Sequence, residues 1–260
     1  MLNVVSMRGL QVVAPSIKSV SLLDSVIDTA ARILQPYNGS LWIFDPSQTF
    51  LGSDGTGQVV TGSAVGYVRD VLNNRPANQA TASRRPVLQY TSNMWGLRFD
   101  GMDDALVTVA LPTVAAETLG VVYTTPTNAT SAQYPISRRN ANTTIGSTLY
   151  INNTNFSINF INAGSAVTTG AVIAAGVTGV VSVVGKAGSV AVRVNGVDGT
   201  ATTYGTYVAG TNVLVLGNSV DFARAFGGTL HAAYYAPVEI SNTDRQLLDR
   251  LLGNTFGVVI

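Results

Sequence analysis

Cysteine is absent from the 260 residues, and histidine occurs once, at His231. These absences exclude disulfides, thiolate nucleophiles, thiolate zinc sites, iron–sulfur clusters and any site with several histidine ligands. A single domain of this length buries roughly three-quarters of the surface that its unfolded chain exposes, so it needs no covalent or metal cross-links. We therefore expect an ordinary packed core to stabilise the fold, in one large domain or two small ones.

Charge is also scarce, because charged residues make up 11% of the chain and 15 basic residues oppose 14 acidic ones, for a net charge of +1. An average globular chain has about a quarter charged residues. So small a net charge excludes the broad basic surface of a nucleic-acid or anionic-membrane binder. The remaining polar residues are mostly Thr, Ser, Asn and Gly, which is typical of extracellular β proteins and of viral shell and appendage proteins.

Two segments resemble targeting or membrane sequences without fitting them. Residues 1–16 lack a basic region followed by a continuous apolar core, and Arg8 interrupts them, so we predict no secretory signal. The run from Ala163 to Gly185 has no charge, but Gly, Thr and Ser interrupt it and its apolar residues are mostly Val and Ala. We interpret it as containing a buried strand, Val180 to Val184, and predict no membrane insertion.

One segment with helical periodicity precedes the β-rich part of the chain. Apolar residues recur at spacings of three and four over residues 21–35, with Ser21 as a possible cap and Pro36 as the stop. The apolar stripe packs either on its own domain, which we favour, or on another subunit or attachment site. We treat residues 1–39 as an N-terminal extension that attaches the protein. The stripe residues with this candidate role are Leu22, Leu23, Val26, Ile27, Ile33 and Leu34.

From residue 40 onward, short runs of period two alternate with Gly, Asn, Asp and Pro clusters, which predicts strands. We predict eleven: 40–44, 66–70, 96–100, 105–110, 118–124, 148–151, 156–161, 179–184, 189–195, 212–216 and 228–235. Strands without intervening helices predict an all-β fold, a two-sheet antiparallel sandwich over residues 40–260. A hairpin is expected around Gly185–Gly188, a tight turn at Asn195–Gly196, and a short C-terminal helix from Ser241 that stops at Gly253.

Four blocks of sequence resemble the concanavalin A-like (laminin G-like) lectin/glucanase domain of bacteriophage and prophage virion proteins. The second and third blocks are the most specific. The blocks are Leu41-Trp-Ile-Phe-Asp-Pro-Ser47 with Val65–Asp70; Asn78-Gln-Ala-Thr-Ala-Ser-Arg-Arg-Pro86; Leu97-Arg-Phe-Asp-Gly-Met-Asp-Asp-Ala-Leu106; and Val190–Gly196 with Phe226–Tyr235 and the terminal helix. The resemblance covers about residues 41–260. It implies a jelly-roll sandwich associated with a phage particle, and it implies no particular ligand.

Asp100, Asp103 and Asp104 form the densest carboxylate cluster in the chain. Calcium is the functional interpretation, because hard cations bind several oxygens. We favour a structural interpretation, in which Gly101 allows a tight turn and the Asp side chains accept bonds from nearby backbone amides. We therefore expect no cofactor, with calcium as the weaker alternative.

Catalytic motifs are missing from the sequence. Glycoside hydrolases need two carboxylates about the scissile bond, and the glutamates, Glu117 and Glu239, lie on different predicted elements. No Gly-x-Ser-x-Gly elbow or phosphate-binding Gly-rich loop occurs, and His231 sits in an alternating strand. We therefore expect no enzyme. The one alternative left open is a catalytic pair of Asp residues that folding brings together.

The remaining candidates are basic pairs and aromatics. Arg84–Arg85 and Arg138–Arg139 could bind an acidic neighbour or glycan, but we favour solvated loop charges. Tyr134, Tyr204 and Tyr207 lie in loop-like contexts, where their rings could stack on sugars.

The leading hypothesis is a non-enzymatic virion structural protein, either a capsid decoration or a tail or fibre component, exposed on the particle surface. Its partners would be other virion proteins and further copies of itself. The alternative is a carbohydrate-binding module for host adsorption with a host glycan as partner, and a glycoside hydrolase is the least favoured.

Overall fold

The structure is a computed structural model that describes residues 22–112, 114–128, 131–139, 146–152, 156–162, 165–199, 202–204, 207 and 213–260. Two helices occur in these ranges, Leu22–Leu34 (α1) and Asn242–Thr255 (α2). The strands are Ser40–Ile43 (β1), Thr49–Phe50 (β2), Tyr67–Val68 (β3), Ala77–Asn78 (β4), Val87–Thr91 (β5), Met94–Arg98 (β6), Leu106–Thr108 (β7), Ala116–Thr124 (β8), Gln133–Ser137 (β9), Ser147–Ile151 (β10), Ser157–Asn162 (β11), Ser165–Val172 (β12), Thr178–Lys186 (β13), Gly188–Val194 (β14), Val197–Asp198 (β15), Thr202–Tyr204 (β16), Val215–Leu216 (β17) and Thr229–Ala236 (β18).

The strands form two antiparallel sheets, which confirms the predicted sandwich. The first sheet has the order β15-β14-β13-β8-β18-β6-β5, with β1 beside β18 and β16 beside β14. The second sheet has the order β12-β11-β10-β9-β17-β7-β4-β3-β2. Each of the eleven predicted strand regions contains a strand. The main core lies between the sheets and includes Trp42, Phe99, Leu119, Tyr123 and Phe226.

A second core covers the outer face of the first sheet. The two helices pack there, and Val26, Ala30 and Leu34 of α1 are buried with Leu248 and Leu252 of α2. Alternate residues of β8 therefore face two different cores, which explains why the middle of this strand is buried on both faces.

This packing decides between the two interpretations of the α1 stripe. Val26 and Leu34 are buried against this chain, and Ile27 and Ile33 pack beside them. The side chains of Leu22 and Leu23 lie outside the described residues. The described part of the stripe therefore packs on the sandwich, with Val26 and Leu34 covered and Ile27 and Ile33 half-buried. Residues from 22 onward are part of the same folded unit.

The predicted turns are present. Asn195 and Gly196 have φ angles of 48° and 77°, as a two-residue type I′ turn between β14 and β15 requires. At α2, the hydroxyl of Ser241 accepts the N–H of Asp244. The helix passes Gly253 and ends before Gly257, whose φ is 71°. The prediction that the helix ends at Gly253 was wrong. This glycine lies within the helix and leaves room for Ile260, because a Cβ at position 253 would lie 2.4 Å from Ile260 Cδ1.

The uncharged segment discussed above contains β12 and most of β13, in agreement with its β interpretation. Neither α1 nor α2 has the length and apolar content that a membrane-crossing helix needs.

Truncation of Leu248 tests the second core. Leu248 is fully buried, whereas its neighbour Leu247 is 48% exposed. We expect Leu248→Ala to lower the free energy of unfolding by about 2–5 kcal/mol, since it leaves a cavity. Leu247→Ala, the matched control, should change it by less than about 0.5 kcal/mol. Urea denaturation measures both, and equal effects would contradict the packing of α2.

Candidate functional site

The acidic turn Asp100–Asp104 joins β6 of the first sheet to β7 of the second. Carboxylate oxygens of Asp100, Asp103 and Asp104 lie within 4.8 Å of one another. Asp100 Oδ1 accepts the N–H groups of Met102, Asp103 and Asp104 at 2.8, 3.3 and 3.4 Å, and Asp104 Oδ2 accepts the N–H of Asp100 at 2.9 Å. Backbone amides thus occupy two of the carboxylates, as the structural interpretation expects. The cluster alone does not establish a metal site.

The second and third blocks of the resemblance meet at this turn. The N–H of Ala105 donates to the carbonyl of Arg84 at 3.1 Å, and the buried Gln79 amide donates to the carbonyl of Ala105 at 3.1 Å. Arg84 also pairs with Asp103 at 3.5 Å. Arg85 donates to three backbone carbonyls, those of Gln79, Leu51 and Ala80. These motif residues therefore join the connection between β4 and β5 to the acidic turn, and each of these two segments crosses from one sheet to the other. Arg85 has a structural role.

Asp104 differs from its neighbours in its surroundings. Burial, followed by the nearby charges of Asp100 and Asp103, raises its pKa to about 6, against the opposing effect of the bond from the Asp100 N–H. Asp104 can therefore carry a proton in mildly acidic solution. This makes it a candidate general acid, although nothing in the sequence around it indicated a shifted pKa.

Asp100 and Asp104 border a cavity of about 400 Å³, which we call the acidic cleft. Arg98 and Gln89 line it with them. The complete lining is Thr61, Gly62, Val87, Leu88, Gln89, Arg98, Asp100 and Asp104.

A second cavity, of about 310 Å³, is rich in hydroxyl groups, and we call it the hydroxyl cleft. Its walls come from five strands of the first sheet and their connections. The lining is Gln89, Thr91, Ser92, Met94, Thr124, Thr125, Thr127, Gly176, Thr178, Thr229 and His231. The two clefts share Gln89, whose amide donates to Thr229 Oγ1 at 2.7 Å. Because both clefts border Gln89, they adjoin on the first sheet, and we call the two together the outer-face groove.

His231 lies in a chain of hydrogen bonds within this groove. Its Nδ1 donates to the carbonyl of Trp95 at 2.7 Å, which leaves Nε2 to accept from Thr124 Oγ1 at 2.8 Å. Thr124 and Thr178 hydroxyls are 2.8 Å apart. Burial lowers the pKa of His231, so the imidazole is neutral at pH 7. Gly96 makes room for it, since a Cβ there would lie 2.8 Å from Nδ1.

The predicted sugar-stacking tyrosines are not on an open loop. Tyr134 lies in β9, is 3% exposed and contacts the ring of Tyr150. Tyr207 is 9% exposed, and burial followed by the charge of Glu117 raises its pKa. Tyr204 ends β16, and its side chain lies outside the described residues. The loop interpretation was wrong for Tyr134 because Pro135 resembles a strand breaker but lies within β9, a strand covered on both faces.

The interpretation of Arg138 and Arg139 as solvated charges was also wrong, since both are buried. Arg138 pairs with Glu117 at 2.7 Å and donates to the hydroxyl of Tyr235 at 2.9 Å. Glu117, Arg138 and Tyr235 thus link β8, the end of β9 and β18 inside the sandwich. Glu239 instead pairs with Lys186 at the surface, so the two glutamates do not meet.

No protein-family model matches this chain, and no curated protein matches it either. Solved structures do share its fold. Trypanosoma rangeli sialidase in complex with a difluoro-KDN inhibitor aligns with a TM-score of 0.56 and 15% identity over 90% of this chain and 39% of that one. An arabinofuranosidase complexed with arabinofuranosyl-α-1,2-xylobiose aligns with a TM-score of 0.60 and 13% identity, over 86% of this chain and 64% of that one.

This finding corrects our expectation that the protein is not an enzyme. The similar structures named here are glycoside hydrolases, so the missing sequence motifs do not exclude an enzyme with this fold. The chain spans only part of each of these proteins, and identities this low show a shared β-sandwich fold alone.

Asp104 makes stability depend on pH. Its pKa is about 6 in the folded state, against 3.8 for a free Asp, so between these two pH values the folded state binds a proton that the unfolded state does not. The free energy of unfolding should therefore fall as pH rises through this window. Asp104→Asn keeps an acceptor for the Asp100 N–H and removes the buried charge. We expect it to gain on the order of 1 kcal/mol relative to wild type between pH 4 and pH 7.5, measured by urea denaturation.

Asp103→Asn is the control, because the Asp103 side chain is 44% exposed, does not line the cleft and makes the smallest of the contributions that raise the pKa of Asp104. An Asp104→Asn variant with the pH dependence of wild type would show that Asp104 titrates normally.

Proposed function

We propose that this protein recognises carbohydrate through the outer-face groove, as a component of a phage particle. The observation that carries the first part is that the acidic and hydroxyl clefts both border Gln89, so that hydroxyl, amide and carboxyl groups line two adjoining open clefts. Adjoining open clefts suit a chain of sugar units, whereas a closed pocket suits a single small molecule.

The chemistry of the groove supports a neutral polyhydroxyl ligand. Threonine hydroxyls donate and accept hydrogen bonds, as do sugar hydroxyls, and Gln89 adds an amide with both functions. The imidazole of His231 is neutral and tied into the same hydrogen-bond chain. These side chains stand on paired strands, so they are held in place before a ligand binds, which lowers the entropic cost of binding.

Association with a phage particle is supported by the four blocks of resemblance and by the scarcity of charge. A neutral, hydroxyl-rich exterior suits contact with further copies of the chain and with other virion proteins, because few charges have to be desolvated. An antibody against this chain should label purified particles of the phage that encodes it. Its absence from purified particles would contradict this part of the proposal.

Glycoside hydrolysis is a second candidate function, favoured by the acidic cleft. Retaining glycosidases place two carboxyl groups about 5–5.5 Å apart, one of them a general acid with a raised pKa. Asp104, with a pKa of about 6, fits the acid, and oxygens of Asp100 lie within 4.8 Å of it. In this mechanism Asp104 would protonate the leaving oxygen while Asp100 attacks or stabilises the sugar carbon.

A threonine substitution tests glycan recognition. Thr178→Val removes a hydroxyl from the hydroxyl cleft at nearly constant volume, and Thr29→Val makes the same change on the exposed face of α1. We expect Thr178→Val to weaken binding of a glycan found by array screening about fivefold to tenfold, because a hydrogen bond contributes about 1 kcal/mol. Calorimetry should show no change for Thr29→Val. Equal affinities of both variants would place the binding site elsewhere.

Hydrolysis has its own test. If the groove is catalytic, the bound polysaccharide should yield new reducing ends, Asp104→Asn should reduce their release at least a hundredfold, and Asp103→Asn should retain it. Binding without any release of reducing ends would refute hydrolysis and leave recognition standing.

A further inference from the structure

Three threonines form a row across the first sheet in the wall of the hydroxyl cleft. Thr124 of β8 stands directly opposite Thr178 of β13 on one side and opposite Thr229 of β18 on the other. Thr178 is half-buried, and it also borders a further open cavity of about 520 Å³, together with Asn254. Because it borders two open cavities, Thr178 is the member of the row that is best placed to meet a ligand.

The carbonyl of Trp95 fixes the direction of the hydrogen bonds that lead from His231 to this row. A carbonyl oxygen only accepts, so the 2.7 Å bond to Trp95 requires the proton on Nδ1 of His231. Burial lowers the pKa of His231, so the ring is neutral at pH 7 and carries that one proton. Nε2 is therefore an acceptor, and Thr124, at 2.8 Å, must donate its hydroxyl proton to it.

Thr178 is the far end of this chain of hydrogen bonds. Its hydroxyl oxygen lies 2.8 Å from that of Thr124. Since the proton of Thr124 already points to His231, the proton between the two threonines comes from Thr178. The Thr178 oxygen keeps both of its lone pairs for a ligand and has no proton left to donate. A ligand group that forms a hydrogen bond with it must therefore supply the proton.

This fixed polarity distinguishes ligand groups that a freely rotating hydroxyl would accept equally. A sugar hydroxyl or an amide N–H donates to the Thr178 oxygen. The oxygen of a methyl ether or an ester has no proton, so it would face another acceptor, and the hydrogen bond would be lost. Sites that require a hydrogen bond discriminate in this way against analogues that lack the polar hydrogen.

We propose that the chain of hydrogen bonds Trp95–His231–Thr124–Thr178 makes the hydroxyl cleft select a free hydroxyl or amide N–H at Thr178 and reject an O-methylated or O-acylated position there. His231 and Thr124 are positioning residues, because they act on the ligand through Thr178. This inference rests on the proposed carbohydrate recognition and adds a substrate class to it: glycans that are unsubstituted at the oxygen that meets Thr178.

The first test compares glycerol with its trimethyl ether, 1,2,3-trimethoxypropane, because the two carry the same oxygens with and without protons. Each is titrated into the full chain at pH 7, and the NMR signal of the Thr178 methyl group reports binding. We expect glycerol to bind about fivefold or more tightly than the ether. An ether that binds as tightly as glycerol would overturn the inference, and so would a Thr178 signal that neither probe perturbs.

Substitutions at Thr124 show whether the chain of hydrogen bonds causes the preference. Thr124→Val leaves the Thr178 proton free to donate, so the preference for glycerol should fall to within about twofold. Thr124→Ser keeps the hydroxyl and should retain the preference, as should the control Thr29→Val on the exposed face of α1. A Thr124→Val variant with the full preference of wild type would contradict the proposed role of the chain.

A measurement on the wild-type chain keeps the inference testable if Thr124→Val fails to fold. The ¹⁵N NMR spectrum of the His231 ring should show the proton on Nδ1 and none on Nε2 at pH 7. The opposite tautomer would overturn the inference, because Nε2 would then donate to Thr124 and the direction of every later bond would reverse.

Failure here is distinguishable from failure of the proposed function. An oligosaccharide whose binding depends on Thr178, together with equal affinity for glycerol and its ether, overturns only the selection of a proton donor. A preference for glycerol without binding of any oligosaccharide leaves the polarity of Thr178 standing and contradicts carbohydrate recognition.

Discussion

Burial of the first sheet on both faces is the constraint on which the rest of the structure depends. One face packs against the second sheet, and α1 and α2 cover the other. The helices do not extend over the strip of β5, β6 and the ends of β8, β13 and β18. The polar side chains of that strip, from Gln89 to His231, therefore form the wall of the outer-face groove. The groove exists because the covering layer stops short of the sheet edge.

Covering both faces also forces polar groups into the interior, where they must find partners. Asp249 of α2 accepts the hydroxyls of Ser182 and Tyr234 at 2.6 and 2.8 Å, which ties the helix to the sheet below it. Glu117 and Arg138 play a similar part between the sheets. Removing one member of such a set leaves a buried charge with fewer partners, so these residues secure the alignment of the layers more than they add net stability.

The motifs that carry the resemblance have a structural role here. Gln79 and Arg84, in the connection between β4 and β5, contact Ala105 and Asp103 of the acidic turn, so these motif residues stabilise the packing of two connections that cross between the sheets. The same turn places Asp104 at the edge of a cleft with a raised pKa. The chain shares its fold with glycoside hydrolases although it lacks catalytic motifs, so missing motifs were an unsafe reason to exclude an enzyme.

The periodicity of the sequence predicted eleven of the eighteen described strands, the tight turns and both α-helices, because these depend on neighbours a few residues apart. It failed where an element broke a local rule: β9 contains Pro135, and the short polar strand β5, which supplies Gln89, has little alternation. Only the tertiary structure decided that the described part of the α1 stripe packs on the sandwich, that Arg138 is buried and that Asp104 and His231 border cavities. These properties depend on contacts between residues distant in sequence, for example Thr124 and His231, and local patterns do not record such contacts.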